Sequence, residues 1–596
     1  MSRTTGSNER KRQHFGRGVP RGAVLFGRIE REPIGRHDPF THDIHWERET
    51  RLRRRTGPQT RLGGHPTMNR WNVFGLEGTD RATKGFFFGT ITALAALVCV
   101  GLLYPAALET TLNSAFDWVL YRFGWWFMAL GVALVAFTFF MAFSRYGRIR
   151  IGGEDAEPEF GVFSWIAMVF TVGFGSSIVV WGVGEPISIV TQPPPTSPVP
   201  GASIESLALA FMFLHESFPG MAMWYLPFAL GFGLMAYTTE SDDYRISSMM
   251  SVVLDRERYG WLFWLVDLAA LIAIVGGLAT TLGFTAQQLA TILSDVFGAE
   301  TNLVTYGLFA LIGLVFLGDV WLGLHKGIRN AARVTFVLML VTSGVLLAVG
   351  PTLFILNITL DATGIWLNNL PRLALYTAPT SGAQWPQSWT SFWWAWWAAW
   401  GLFVGSFVAR VSKGRTIRET FVALVAAPTL LTWLQHGIIG GWVLAPGYVG
   451  PVSEAFAQND IPTAVATAIT LTPFGTVIGV LLVLIMAGYV LTTLDSAVYM
   501  LSAITLGEEE PNARNRAWWG ALLTVLGVMT LNLPAFSAME AFSPVMALPF
   551  TLFFVVLMYT TYVTARRYYR EEYKEPGERP YFAITRASEE SGDDGT

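Results

Sequence analysis

From position 389 the chain reads Trp389-Thr390-Ser391-Phe392-Trp393-Trp394-Ala395-Trp396-Trp397-Ala398-Ala399-Trp400, then Phe403-Val404-Gly405. Six Trp fall within twelve residues. On a helix, Trp393, Trp396, Trp397 and Trp400 share one side at i, i+3, i+4 and i+7. The face of a Trp ring attracts a quaternary ammonium ion by about 0.5–2 kcal/mol. Such an ion has no N–H, so hydrogen bonding cannot replace an aromatic cage. The other reading is an interfacial aromatic belt. A belt needs one or two rings near a headgroup layer rather than a run through a helix, so the physics favours a cage for part of this run.

The surroundings make the run one of a series. The chain has 596 residues, 52% hydrophobic and 14% charged, and its mean hydropathy is +0.41. Soluble domains carry about 25% charged residues, so an ordinary cytosolic enzyme is excluded. A bilayer core takes about 20 apolar residues per helix. Twelve such segments are read, with cores at 85–108, 118–143, 163–190, 206–237, 260–294, 301–324, 334–358, 387–409, 420–445, 473–506, 517–536 and 541–565. The expectation is an all-α integral membrane protein of 12 transmembrane helices. Every even-numbered exit is basic: Arg145, Arg148 and Arg150; Arg245, Arg256 and Arg258; Lys326, Arg329 and Arg333; Arg410, Lys413, Arg415 and Arg418; Arg514 and Arg516; Arg566, Arg567 and Arg570. By the positive-inside rule both termini are cytoplasmic, in the plasma membrane of the cell.

Residues 1–67 carry 15 Lys+Arg and 7 Asp+Glu, and five of the eight His. This tail has no apolar run long enough to span a bilayer. Basic tails bind anionic lipid or nucleic acid, but low periodicity and high polarity favour a disordered extension upstream of a start at Met68. No nucleic-acid partner is expected, and a chain beginning at Met68 is expected to transport normally. The transporter domain is read as 68–565 and the C-terminal tail as 566–596. The single Cys, Cys99, excludes an internal disulfide and a Cys-based metal cluster. No phosphate-binding Gly-Lys-Ser/Thr loop appears, which disfavours ATP-driven transport.

Charge inside a membrane costs roughly 2.5–3.5 kcal/mol per residue on insertion scales. The segments nevertheless hold Glu185, Glu216 beside His215, Asp267 and Asp495. Asp267 lies near a helix end and is read as wetted or snorkelling. The third segment contains Thr171-Val172-Gly173-Phe174-Gly175-Ser176-Ser177 and Trp181-Gly182-Val183-Gly184-Glu185-Pro186. Glycines there either free carbonyls for an ion or let helices pack closely; taken alone, packing is favoured. The tenth segment carries Tyr489-Val490-Leu491-Thr492-Thr493-Leu494-Asp495-Ser496. Its hydroxyls can complete an oxygen shell or bond back to their own helix. A catalytic dyad or metal triad is not apparent, because His215, His325 and His436 lie on segments far apart in sequence.

Together these pieces resemble the betaine/choline/carnitine transporter family over about residues 70–570. The most specific match runs from Trp394-Ala395-Trp396-Trp397 through Phe403-Val404-Gly405 to Ala409-Arg410-Val411-Ser412-Lys413-Gly414-Arg415-Thr416-Ile417-Arg418-Glu419. Gly173-Phe174-Gly175-Ser176-Ser177 with Glu185-Pro186 resembles the family's glycine stretch, with Ser177 where a third Gly is common. Gly350-Pro351-Thr352 to Leu356-Asn357 sits where the family has its Gly-Pro-Thr segment.

The resemblance implies a LeuT-type fold with two inverted five-helix repeats, about 163–358 and 387–565. It implies import of a betaine-like or other quaternary-amine or zwitterionic compatible solute by Na⁺ symport, in a protein that often forms a homotrimer. The alternatives are an ion-independent exchanger of related amines and, in another class, a non-transporting solute sensor; neither tail is patterned as a signalling domain. No cofactor is implied beyond Na⁺ as coupling ion. Its implied ligands are the carbonyls of Thr171, Phe174 and Tyr489 with the side chains of Thr492 and Thr493. Trp397 is the implied wall of the substrate box, with Trp394, Trp396 and Trp400 along the pathway and Gly173 and Gly175 opposite.

Two features depart from the family. On the fourth segment, His215-Glu216-Ser217-Phe218-Pro219-Gly220-Met221-Ala222-Met223-Trp224-Tyr225-Leu226-Pro227-Phe228, Glu216 and Met221 stand where Trp is usual and Trp224 where Tyr is usual. Either Trp224, Tyr225 and Phe228 partly rebuild the box or the substrate differs. Glu216 then pairs a cationic amine, binds a proton, or makes a structural pair with His215 or a water pocket. From Arg566 onward there are six basic and eight acidic residues, which speaks against osmotic gating by a basic C-terminal helix.

Overall fold

The computed structural model describes residues 70–573, apart from 175–176, 240, 242, 299–300, 323–324 and 532–535. The basic segment 1–67, Met68, Gly175 and the chain beyond Tyr573 therefore lie outside the described residues. The rest is helical. In chain order the main helices are α1 (Arg81–Leu103), α2 (Pro105–Phe143), α3 (Val162–Phe174), α4 (Ser177–Thr191), α5 (Ile204–Met212), α6 (Gly220–Gly233), α7 (Arg256–Phe297), α8 (Thr301–Leu322) and α9 (His325–Val349). They continue with α10 (Thr352–Asn368), α11 (Phe392–Val411), α12 (Ile417–Val443), α13 (Val449–Gln458), α14 (Ile461–Leu471), α15 (Gly475–Leu506), α16 (Ala513–Leu531) and α17 (Phe536–Glu572). The described residues of each expected segment are mainly helical. Among the described residues, nine helices are long and apolar enough to cross a membrane.

Several boundaries differ from expectation for physical reasons. The second helix begins at Pro105 rather than 118, because Glu109, Asn113 and Asp117 dilute the hydropathy of its first turns. The seventh ends at Val349 and a separate helix, α10, follows Pro351. That helix buries Ile355, Ile358, Ala362 and Trp366, while Leu353 and Leu360 stay exposed. It packs on α5 and α12, as α13 and α14 pack on α4. None of these three short helices was anticipated, since each is too short for a membrane-length window. Asp267 corrects its reading. It is 3% exposed and accepts the backbone N–H of Ser247 at 2.8 Å and its hydroxyl at 2.7 Å, anchoring the 3-10 turn Ile246–Val252 on α7.

Counted by apolar segment, α3–α4 are the third, α5–α6 the fourth, α7 the fifth, α8 the sixth and α9 the seventh. α11 is then the eighth, α12 the ninth, α15 the tenth, α16 the eleventh and α17 the twelfth. In that count the packing repeats at an offset of five. α7 packs on α17, and its counterpart α15 packs on α9. α11 packs on α6 and α17; correspondingly, α12 packs on α4 and α9 on α3. α7 packs on α8 and α16, just as α15 packs on α16 and α8. Because five is odd, the second set runs inverted relative to the first, the arrangement of two inverted five-helix repeats.

Loops after even-numbered segments meet one another. The N–H of Ile151 donates to Arg415 O at 2.9 Å, that of Tyr244 donates to Gly507 O at 3.2 Å, and Arg410 pairs with Glu159 at 2.9 Å. Arg567 donates to Val252 O at 3.2 Å, and Arg333 to Ser164 Oγ. The start of α1 joins the same side, with Arg245 donating to Thr83 Oγ1 at 2.8 Å. The described ends of the chain thus share one face.

Candidate functional site

The third segment is described as α3 up to Phe174 and α4 from Ser177, with residues 175–176 between them outside the described residues. The Tyr225 hydroxyl donates to Gly173 O at 2.9 Å. Gly173 is required there, since a Cβ would lie 3.0 Å from the Tyr225 ring. Gly182 and Gly184 follow the packing reading, because Cβ atoms would come within 2.9 Å of Ile439 and 2.8 Å of Ile461.

The fourth segment departs from α-helix where its departure from the family lies. Phe213–Ser217 forms a π turn that holds His215 and Glu216. A second π turn, Gln387–Ser391, opens the eighth segment. Such turns are rare and frequent at functional sites. Here the two meet: His215 Nε2 lies 2.9 Å from Thr390 Oγ1. His215 Nδ1 lies 2.6 Å from Glu185 Oε1. Glu216 Oε2 pairs with His436 Nε2 of α12 at 3.0 Å, not with His215. All four side chains are fully buried. Histidines far apart in sequence are therefore close in the fold, though no group of three or more His, Cys, Asp or Glu among the described residues is arranged to hold a metal ion.

Trp397 is the centre of the aromatic region. Its Nε1 donates to His215 O at 2.7 Å, tying α11 to the π turn. Tyr225 stands perpendicular to it, with ring centres 6.0 Å apart and an interplanar angle of 89°. Trp393 stacks on its other side at 5.2 Å, and Trp181 of α4 closes on Trp393 at 5.2 Å. Trp396 packs between Trp181 and Phe284.

Trp394 touches this centre at His215, edge to face with ring centres 5.9 Å apart, but it also faces Trp224 at 6.4 Å and approaches Gly131 on α2. The other expected residues lie away from it. Phe228 stacks on Phe550 and Phe553 of α17. Trp400 lies over Gly277 of α7. Met221 is buried in the first turn of α6. Of the three aromatic residues expected to rebuild the box, only Tyr225 meets Trp397. Trp181, Trp393, Thr390 and His436 are the additions. Trp181 and Trp393 had a signal in their indole rings, whereas a lone His on an apolar helix such as α12 gives none.

At the expected ion ligands, α15 packs on α3 and α11. Thr492 Oγ1 bonds back to Gly488 O at 3.1 Å and Tyr489 O at 3.0 Å. Thr171 Oγ1 bonds back to Ala167 O at 2.9 Å. The Thr493 hydroxyl is buried without a hydrogen-bond partner. Asp495 is buried one turn further on.

The sequence profile of the betaine/carnitine/choline family of transporters matches residues 86–570. The glycine betaine transporter OpuD of Bacillus subtilis (strain 168) is 30% identical over 491 residues, which cover 81% of this chain and 95% of that one. The ectoine/hydroxyectoine transporter of Virgibacillus pantothenticus is 28% identical over 478 residues, covering 79% of this chain and 94% of that one. A solved manganese transporter from Eremococcus coleocola, the H236A mutant, aligns at a TM-score of 0.40 and 15% identity, covering 73% of this chain and 94% of that one. With its matched profile, its multiple apolar helices and its mirrored five-helix sets, this chain belongs to the betaine/carnitine/choline family of membrane transporters, and its family role is transport rather than enzymatic catalysis.

Proposed function

We propose that the protein imports a quaternary-amine or zwitterionic solute of the glycine betaine type by Na⁺ symport, with both termini in the cytoplasm. The observation that carries the solute reading is the perpendicular Trp397–Tyr225 corner, tied to α3 by the Tyr225 hydroxyl donating to Gly173 O. Two ring faces at right angles suit a methylated ammonium, which is held by cation–π attraction and needs no hydrogen bond. The relatives named above transport glycine betaine and ectoine, both small zwitterions.

The Na⁺ reading rests on oxygen donors. Na⁺ is a hard cation, and transporters of this architecture coordinate it with unwound carbonyls near broken helices. The unpartnered Thr493 hydroxyl on α15, which packs on α3, supplies that donor type. The engaged Thr492 hydroxyl favours the second reading, exchange without an ion. Uptake of radiolabelled glycine betaine into liposomes, with and without an inward Na⁺ gradient, separates the two. Accumulation only with the gradient supports symport; equal counterflow in Na⁺-free buffer supports exchange; no movement of solute defeats both.

A further inference from the structure

Two Glu–His pairs sit side by side behind the Trp397–Tyr225 corner, and they differ in what the second imidazole nitrogen meets. In the Glu185–His215 pair both nitrogens are engaged, Nδ1 by Glu185 at 2.6 Å and Nε2 by Thr390 at 2.9 Å. In the Glu216–His436 pair only Nε2 is engaged, at 3.0 Å. His436 Nδ1 and Glu216 Oε1 are buried and have no hydrogen-bond partner. Nδ1 faces Gly182 of α4, where a Cβ would stand 3.6 Å away.

Proton bookkeeping shows what this difference does. With one proton on His436 Nε2 donated to the Glu216 carboxylate, the pair is a neutral imidazole and an anion. It holds a net negative charge with no exposure to water, an unfavourable state inside a membrane. A proton added at Nδ1 turns the pair into imidazolium and carboxylate, with no net charge. Its Nδ1 site is unoccupied by any other bond, unlike both nitrogens of His215. The groups facing Glu216 are His436 from α12, His215 from its own π turn, Glu185 from α4 and the Tyr225 phenol from α6. α11 contributes the uncharged Trp397, and the nearby ionisable residues Asp361 on α10 and Arg372 beyond it are exposed. No fixed cation therefore neutralises Glu216 except the imidazoles.

We propose that the Glu216–His436 pair is a proton-binding site of the transport pathway, and that a proton crosses the membrane with the solute. The backbone of the π turn makes the link: His215, adjacent to Glu216, receives the Trp397 indole N–H through its carbonyl. Movement of Trp397 around a solute thus pulls on the turn that carries Glu216. The coupling rests on the reading of the protein as an importer of a betaine-type solute; the proton site itself does not.

The test uses the full chain in liposomes loaded with a pH-sensitive dye, with glycine betaine as the probe and Na⁺ equal on both sides. Wild type is expected to acidify the interior when solute is added outside, and an imposed inward gradient of about one pH unit is expected to raise the accumulation ratio by about tenfold, the value for one proton per solute. Glu216→Gln and His436→Gln are expected to lose both effects, and a wild-type elution volume and melting temperature in detergent show that they are folded. Wild type that moves solute with no acidification overturns the coupling. Loss of acidification in Glu185→Gln but not in Glu216→Gln overturns the assignment of the open pair. Without solute, an infrared difference spectrum between acidic and neutral pH should show an imidazole protonation band that His436→Gln lacks; its absence from wild type overturns the site. If wild type moves no glycine betaine, the solute reading fails and the infrared spectrum still decides the proton site.

Discussion

Two patches of α11, the Trp rings towards its N-terminus and the glycines after them, are built from opposite materials. Towards α6 it presents Gly401 and Gly405, and the backbones nearly touch: a Cβ on Gly401 would lie 2.6 Å from Trp224 O, and one on Gly405 2.3 Å from Phe228 Cβ and 2.6 Å from Tyr225 O. Towards α4 and the π turn it presents Trp393, Trp396 and Trp397, large rings stacked on other rings. In lipid there is little hydrophobic force between helices, so small residues that allow close backbone approach supply the association. The small-residue patch fixes where α11 stands, and the aromatic patch is then free to serve a ligand. Tyr225 belongs to both: its carbonyl is pressed by the glycine patch, and its ring completes the Trp397 corner.

The largest expected effect breaks the glycine patch. Gly405→Ala should destabilise the folded protein by about 3 kcal/mol, the top of the usual overpacking range, because the methyl would meet backbone rather than a flexible side-chain end. Gly89→Ala, where an added Cβ meets nothing within 4 Å, is the neutral comparison. Thermal unfolding in detergent, followed by size-exclusion chromatography, measures both. Equal melting temperatures would remove the scaffold role.

In the aromatic patch, Trp397→Ala should weaken glycine betaine binding by about 1–2 kcal/mol, roughly 5- to 30-fold in Kd. Trp389→Ala should change it far less, since Trp389 packs on Trp385 and the edge of Trp181, away from Tyr225. Equal losses in the two variants would show that the corner is not the solute site. The next effect concerns the ion. Replacing both Thr492 and Thr493 by Ala should raise the Na⁺ concentration for half-maximal uptake, with most of the shift from Thr493. Loss of one oxygen ligand from a cation is expected to cost about 1.5 kcal/mol, near tenfold. Thr492→Ala alone should do less, because its hydroxyl is occupied by its own helix. Wild-type Na⁺ dependence in the double variant would make both ordinary helix hydroxyls. The smallest effect is predicted for Trp394→Phe, under about 0.5 kcal/mol in solute binding, or roughly twofold, since its ring faces Trp224 and α2. A loss as large as that of Trp397→Ala would extend the site to that side.

The sequence by itself determined the class of the molecule and the polarity of its loops. Hydropathy reports burial in lipid segment by segment, and basic residues mark one side through a rule that needs no tertiary contact. It also singled out the Trp-rich helix, the glycine-rich third segment and Glu216, because a charge, a ring cluster or a run of glycines in an apolar segment is conspicuous wherever it points. Only the tertiary structure decided which rings share a corner. Trp394 and Trp397 are three residues apart in sequence, yet one faces α2 and the other Tyr225. Periodicity gives the angle between two side chains on one helix but not the identity of the neighbour on each side. The same limit hid the ionic pairs. Glu216 lies next to His215 in the chain, but a π turn directs the two to different partners, Glu216 to His436 from 220 residues away and His215 to Glu185 and Thr390. Adjacent side chains on a helix diverge by about 100°, so proximity in sequence argued against the very contact it suggested, and the pairing was set by helices that the fold alone brings together.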